Sequence, residues 1–132
     1  RIHLHAANWM NELPTKHNVN LSQGFREPAL YSLLKDEETS RPFVDAAYRH
    51  FQTMMNDFGQ FPGGGFAGDE NCRQGFTDPR QGFETCGIVE LMHSCSILHR
   101  LTGDRQWADH CETLAFNSLP AALDPFLARS TH

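Results

Sequence analysis

The sequence predicts an all-α fold of stacked helical hairpins, and three observations predict it. Apolar residues recur at helical spacing along much of the chain, strand-like alternation is nearly absent, and one helix-turn-helix unit occurs twice.

The first helical stretch is "SQGFREPALYSLLKD", with apolar positions at Ala29, Leu30, Leu33 and Leu34. Pro28 either starts that helix or kinks it, because proline brings no N–H to a helical bond. The second stretch runs from Pro42 to Phe58, where Phe43, Ala47, Phe51, Met54, Met55 and Phe58 line one face. Pro42 suits its first turn. A third stripe holds Ile88, Leu91, Met92, Cys95 and Leu98; "TGD" breaks it at Gly103, and Trp107, Cys111, Leu114 and Leu119 form a fourth.

Setting "ALYSLLKDEETSRPFVDAAYRHF" beside "SCSILHRLTGDRQWADHCETLAF" gives the repeat: a helix, a short polar turn, an aromatic-led helix and a closing Phe. Trp107 answers to Phe43 in this register, which makes it a core residue rather than a platform for a sugar. Stacked hairpins of this kind build solenoids or close into α/α toroids.

Between the hairpins, Gly59 to Gln81 is rich in glycine and polar groups. A connection that long in a compact domain is usually functional or disordered. Phe61, Phe66, Phe76 and Phe83 are interleaved with the glycines and give the segment something to pack with, so order is the expectation.

Bulk properties narrow the function. At 132 residues and 39% hydrophobic, the chain amounts to about one domain. A net charge of -5, with no run of Lys or Arg, argues against a nucleic-acid partner. Its apolar runs fall well short of the roughly 18 residues a membrane helix needs, which argues against a membrane partner. The chain begins at Arg1 and stops at "ARSTH", from which a fragment or processed product is expected. Four irregularly spaced cysteines make neither a disulfide framework nor the paired pattern of a structural zinc finger.

The chemistry concentrates in "GDENCRQGFTDPRQGFETC", Gly68 to Cys86. Residues two apart share a side only in extended backbone, so Glu84 and Cys86 can reach one metal only where the helix has not yet begun. Thr85 is a good N-cap, which leaves Glu84 extended and puts Cys86 in the first turn, where the positive helix end favours a thiolate. That is half of a zinc site, since zinc takes sulfur and carboxylate oxygen and wants about four ligands. The plainer reading is a capped helix with Cys86 packed on it. Glu70 is either a solvated carboxylate or a general acid/base with its pKa raised by a negative neighbour such as Glu84. Cys72 is a third ligand or, preferably, a small buried residue. Cys86, Glu90 and His93 share a helix face that lines a pocket, forms a rival metal site or is merely polar. His17, in "KHNVN", precedes a helix that Asn18 or Asn20 could cap; His99 and His110 read most simply as surface or inter-helix residues.

The stretches "HNVN", "GDENCR", "TDPRQGFETCG" and "LTGDRQWADHCETLAFNSLPAAL" together resemble the catalytic domain of the β-L-arabinofuranosidase family, glycoside hydrolase family 127. The resemblance implies that residues 1–132 are part of an (α/α)6 toroid, contributing its later hairpins. It implies a zinc held by Glu84 and Cys86 of the E-T-C motif, with two further ligands from an adjacent Cys pair, one of which is the nucleophile. It implies Glu70 as acid/base, His17 as a substrate-binding residue, a carbohydrate substrate and a retaining reaction. No adjacent Cys pair occurs in the 132 residues, so the nucleophile and half the zinc site are expected outside this chain. The alternatives are a non-catalytic helical module with a sugar-binding groove, and a small zinc protein using Cys72, Glu84, Cys86 and His93. Part of a toroid also exposes helix faces that normally meet neighbours, from which self-association is expected.

Overall fold

Helix boundaries follow from where the chain finds partners for its first free N–H groups. In a computed structural model, which describes residues 10–13, 16–58, 63–66, 68, 72–73 and 84–122, His17 is the first such cap. Its backbone is extended and its Nδ1 accepts from Asn20 N at 3.5 Å, opening α1 (Asn18–Gly24). The histidine therefore takes the capping position that the sequence offered to Asn18 or Asn20, which leaves Asn18 to turn inward.

Of the two roles open to Pro28, starting a helix or kinking one, the structure shows the first. The chain turns at Phe25 and Arg26, and α2 (Glu27–Ser32) starts afresh with Pro28 in its first turn, where a missing N–H costs no helical bond. Beyond Ser32 the backbone bonds tighten to three-residue spacing: Leu33 N to Leu30 O, Leu34 N to Tyr31 O and Lys35 N to Ser32 O. Tighter winding carries Leu33 and Leu34 off the buried face, and they stand 69% and 78% exposed.

The next helix begins earlier than Pro42. Asp36 is extended and accepts from Thr39 N at 3.2 Å, and Glu37 and Glu38 then sit at the positive end of α3 (Glu37–Asp57). Pro42 falls inside the helix rather than in its first turn. It removes one bond, the one Glu38 would have received, on an exposed stretch where water can take its place.

The second hairpin follows its sequence signals closely. In α4 (Thr85–Thr102), Ile88, Leu91, Cys95 and Leu98 are buried and Met92 packs on the core. Gly103 ends it with φ +70°, a conformation in which glycine has no Cβ to clash. Asp104 then accepts from Gln106 N at 3.0 Å and starts α5 (Arg105–Thr113). The helix widens into a π-turn over Leu114–Ser118, with Asn117 Nδ2 donating to the Thr113 carbonyl, before α6 (Leu119–Ala122). Trp107 and Leu114 are fully buried, and Cys111 and Leu119 half-buried.

Helix α2 packs on α3, α4 on α5, and α1 on α4. Both hairpins thus share a plan in which an Asp cap starts the second helix, and Trp107 locks them together. Its ring meets Phe25 at 6.1 Å, Tyr48 at 4.9 Å and Phe51 at 5.0 Å, the last two edge-on. Tyr48 also donates from its hydroxyl to Asp104 Oδ2 at 2.9 Å. The described residues contain no strand, and no described helix is long and apolar enough to cross a membrane.

Within the inter-hairpin segment, Phe66 is buried and lies 6.4 Å from Phe58. Phe61, Phe76 and Phe83 lie outside the described residues.

Candidate functional site

The start of α4 carries a carboxylate and a thiol. Glu84, rather than Thr85, is the N-cap: its backbone is extended (φ -89°, ψ 130°) and its carbonyl accepts the first helical bond, from Ile88 N at 3.2 Å. Thr85 is the first helical residue. Glu84 makes no capping bond through its side chain, and its Oε2 is buried without a hydrogen-bond partner. Cys86, in the first turn, is exposed. A buried, unpartnered carboxylate oxygen is costly unless a proton or a cation meets it, and carboxylate and thiolate are both ligand types that zinc takes.

The segment before α1 lies against this helix start. Asn18 is 2% exposed, and its Nδ2 donates to Gly68 O at 2.8 Å. A Cβ on Gly87 would overlap Asn18 Oδ1, so the amide sits against α4 one residue after Cys86. Lys16 O accepts from Cys72 N at 2.6 Å. Cys72 is buried in the core, as a small apolar residue would be, and closes on Gly68, whose Cβ would overlap Cys72 Sγ. Three consecutive residues, Lys16, His17 and Asn18, therefore hold the glycine-rich loop, cap α1 and touch α4. Glu70 lies outside the described residues; Gly68 and Cys72 stand two positions to either side of it.

The face of α4 that carries Glu90 and His93 is already engaged. Arg26 Nη1 lies 3.7 Å from Glu90 Oε2 and donates to Ser94 Oγ at 2.6 Å, and Ser94 in turn donates to the Ser22 carbonyl of α1. His93, exposed, is also 3.7 Å from Glu90. This is a tie between α1 and α4 more than a metal site. No group of three or more His, Cys, Asp or Glu stands ready to hold a metal among the described residues, so Cys72, Glu84, Cys86 and His93 do not assemble as a small zinc protein would require.

Other sequence candidates have structural duties. Burial pushes the Cys95 thiol up to about 12, with Cys111 nearby adding to the effect, so Cys95 stays protonated. Cys111 donates to Met92 O at 3.5 Å. His99 Nδ1 lies 3.0 Å from Asp104 O. His110 packs edge-on against Phe51 at 5.0 Å, and burial lowers its pKa. A cleft of about 610 Å³ opens between α3 and the α4–α5 turn, lined by Arg41, Tyr48, Arg49, Thr102 and Asp104 among others. It contains none of the residues gathered at the start of α4.

Sequence reasoning missed Asn18 as a contact residue. Its one signal was its place in "HNVN", and nothing local pointed to partners so far along the chain.

Helical hairpins joined through a shared aromatic core define a helical protein, with an acid and a thiol two residues apart at one helix start. The family model described as Beta-L-arabinofuranosidase, GH127 catalytic domain matches residues 2–129, and the chain belongs to that family. It is thereby of glycoside hydrolase type, with carbohydrate as its substrate class. Comparison with curated proteins and with solved structures gave no match.

Proposed function

We propose that this chain is part of a retaining glycoside hydrolase acting as β-L-arabinofuranosidases do, and that its hairpins belong to an (α/α)6 toroid. The observation that carries the reading is the start of α4, where Glu84 has an unpartnered buried oxygen, Cys86 is exposed and the next residue, Gly87, meets Asn18 beside His17. Glu84 and Cys86 would hold zinc, with two further ligands and the nucleophile from outside these residues. Bound zinc supplies a positive charge that keeps a coordinated thiol deprotonated near neutral pH.

The remaining work falls to this chain. Glu70 gives its proton to the glycosidic oxygen as the bond to the sugar breaks, then takes a proton from the water that releases the sugar. His17 binds the sugar.

The missing cysteine pair favours a second reading, a non-catalytic helical module. The test is hydrolysis of an aryl β-L-arabinofuranoside by the whole enzyme that contains this chain, with Glu70→Gln alongside. The proposal expects activity in the parent and a loss of about 10²–10⁴-fold in kcat in the variant. A parent without hydrolysis, carrying no downstream Cys pair, would leave the module reading standing instead.

A further inference from the structure

Residues 63–66 lie as a short strap along the end of α5, and two consecutive glycines bring the backbone close to it. Gly63 and Gly64 have φ +106° and +89°. A Cβ on Gly63 would stand 2.8 Å from Asn117 Cβ, and one on Gly64 would stand 3.3 Å from both His110 Cε1 and Thr113 Cγ2. Ser118 Oγ, at the end of the π-turn, donates to Gly63 O at 2.7 Å and holds the strap down. At the other end Phe66 is buried near Phe58.

His110 sits beneath this strap. From α3, Phe51 meets its ring edge-on at 5.0 Å, and Gly64 covers its Cε1–Nε2 edge. Nε2 is buried without a hydrogen-bond partner. A proton added to this ring would put a charge where water does not reach. Phe51, Gly64 and the π-turn carry no ionisable group, and of the described side chains that share a cavity with His110 only Asp109 is charged. Asp109 is turned to Arg105, whose Nε lies 3.3 Å from its Oδ1.

We propose that the strap is a pH-operated latch, closed over neutral His110 and released when that ring takes a proton. The strap is the wall that yields, because Phe51 is held by Trp107 in the core that joins the hairpins. Burial already lowers the His110 pKa, and the Gly64 backbone opposes this only in part. With the folded value below that of free imidazole, the closed latch is fully present above about pH 6.5 and is lost as pH falls through the folded value. Release frees residues 63–66 and leaves both hairpins folded.

The test follows amide hydrogen exchange at residues 63–66 in the whole protein that contains this chain, between about pH 5 and pH 8, corrected for intrinsic rates. Opening should rise about tenfold for each pH unit below about 6.5, while amides of α4 stay protected. His110→Gln should abolish that rise. Ser118→Ala should increase opening at every pH. Exchange at histidine Cε1, followed by mass spectrometry, reads the His110 pKa itself. Gly64→Ala, which is strained at this φ and presses on His110, should lift the strap and return that pKa towards the free value. Opening that is flat with pH, a rise that persists in His110→Gln, or α4 amides that quicken in step with the strap would overturn the latch. So would a low His110 value retained in Gly64→Ala with the strap released.

Discussion

Trp107→Ala tests whether this aromatic residue is a structural joint or a surface for sugar. The side chain is fully buried and meets rings from three places: Phe25 beyond α1, and Tyr48 and Phe51 on α3. Truncating a buried tryptophan to alanine costs about 3–5 kcal/mol, and each lost edge-on ring pair belongs to the upper part of that range. A domain of this length holds about 0.05–0.15 kcal/mol per residue, or roughly 7–20 kcal/mol in all, so the loss is a large share of the total. With an unfolding entropy of about 2.1 cal/mol/K per residue, it lowers Tm by roughly 11–18 °C. Trp107→Phe should cost less, since it keeps one ring and removes the Nε1 donor that is buried without a partner. Thermal unfolding followed by near-ultraviolet circular dichroism reads the effect. An alanine variant that melts within about 2 °C of the parent but binds sugar poorly would refute the structural role and restore the sugar-platform reading.

Three further outcomes follow from the same contacts. Burial holds the His50 pKa below the free imidazole value, so its contribution to stability is present above about pH 6.5 and is lost as pH falls through the folded value; His50→Gln should flatten the Tm profile in that window. Iodoacetamide at mildly alkaline pH should label Cys86 rapidly while Cys72 and Cys95 stay unmodified until the chain unfolds, as peptide mass spectrometry would report; early labelling of Cys95 would contradict its burial. Leu33 and Leu34 form an exposed apolar step at the end of α2, and Leu33→Lys with Leu34→Lys should reduce concentration-dependent association in sedimentation velocity if that step mediates it.

Much of the fold was legible because local signals agreed with packing. The α4 stripe and the glycine stop at Gly103 each act within a turn of helix, so pattern and structure coincide. Boundaries failed where a stronger local signal lay beside the one chosen. Asp36 and Thr39 cap α3, with Glu37 and Glu38 in the first turn, yet Pro42 drew the start inward because proline so often opens helices. The break between α1 and α2 was legible only as one of two readings of Pro28, since proline can open a helix or kink one. Leu33 and Leu34 were misplaced by a tightening of backbone bonds that no side-chain pattern announces.

The candidate site divides along the same line. The backbone placement of Glu84 and Cys86, one extended and the other in the first turn, was legible because an extended residue followed by a helix start is a local event. The capping role passed from Thr85 to Glu84, a shift of one residue that puts a carboxylate at the positive end of the helix. Asn18 was not legible, because its meaning lies in two glycines remote in sequence that only folding brings to it.

The central claim, that the start of α4 is half of a zinc site completed from outside, is tested most directly by zinc content. The chain, the whole enzyme, and Glu84→Gln and Cys86→Ser versions of each are dialysed against a weak chelator and measured by elemental analysis. The account predicts little zinc in the chain, one zinc per molecule in the whole enzyme, and loss of that zinc in both variants. Stoichiometric zinc held by the chain by itself, or zinc retained by the whole enzyme after either substitution, would contradict it.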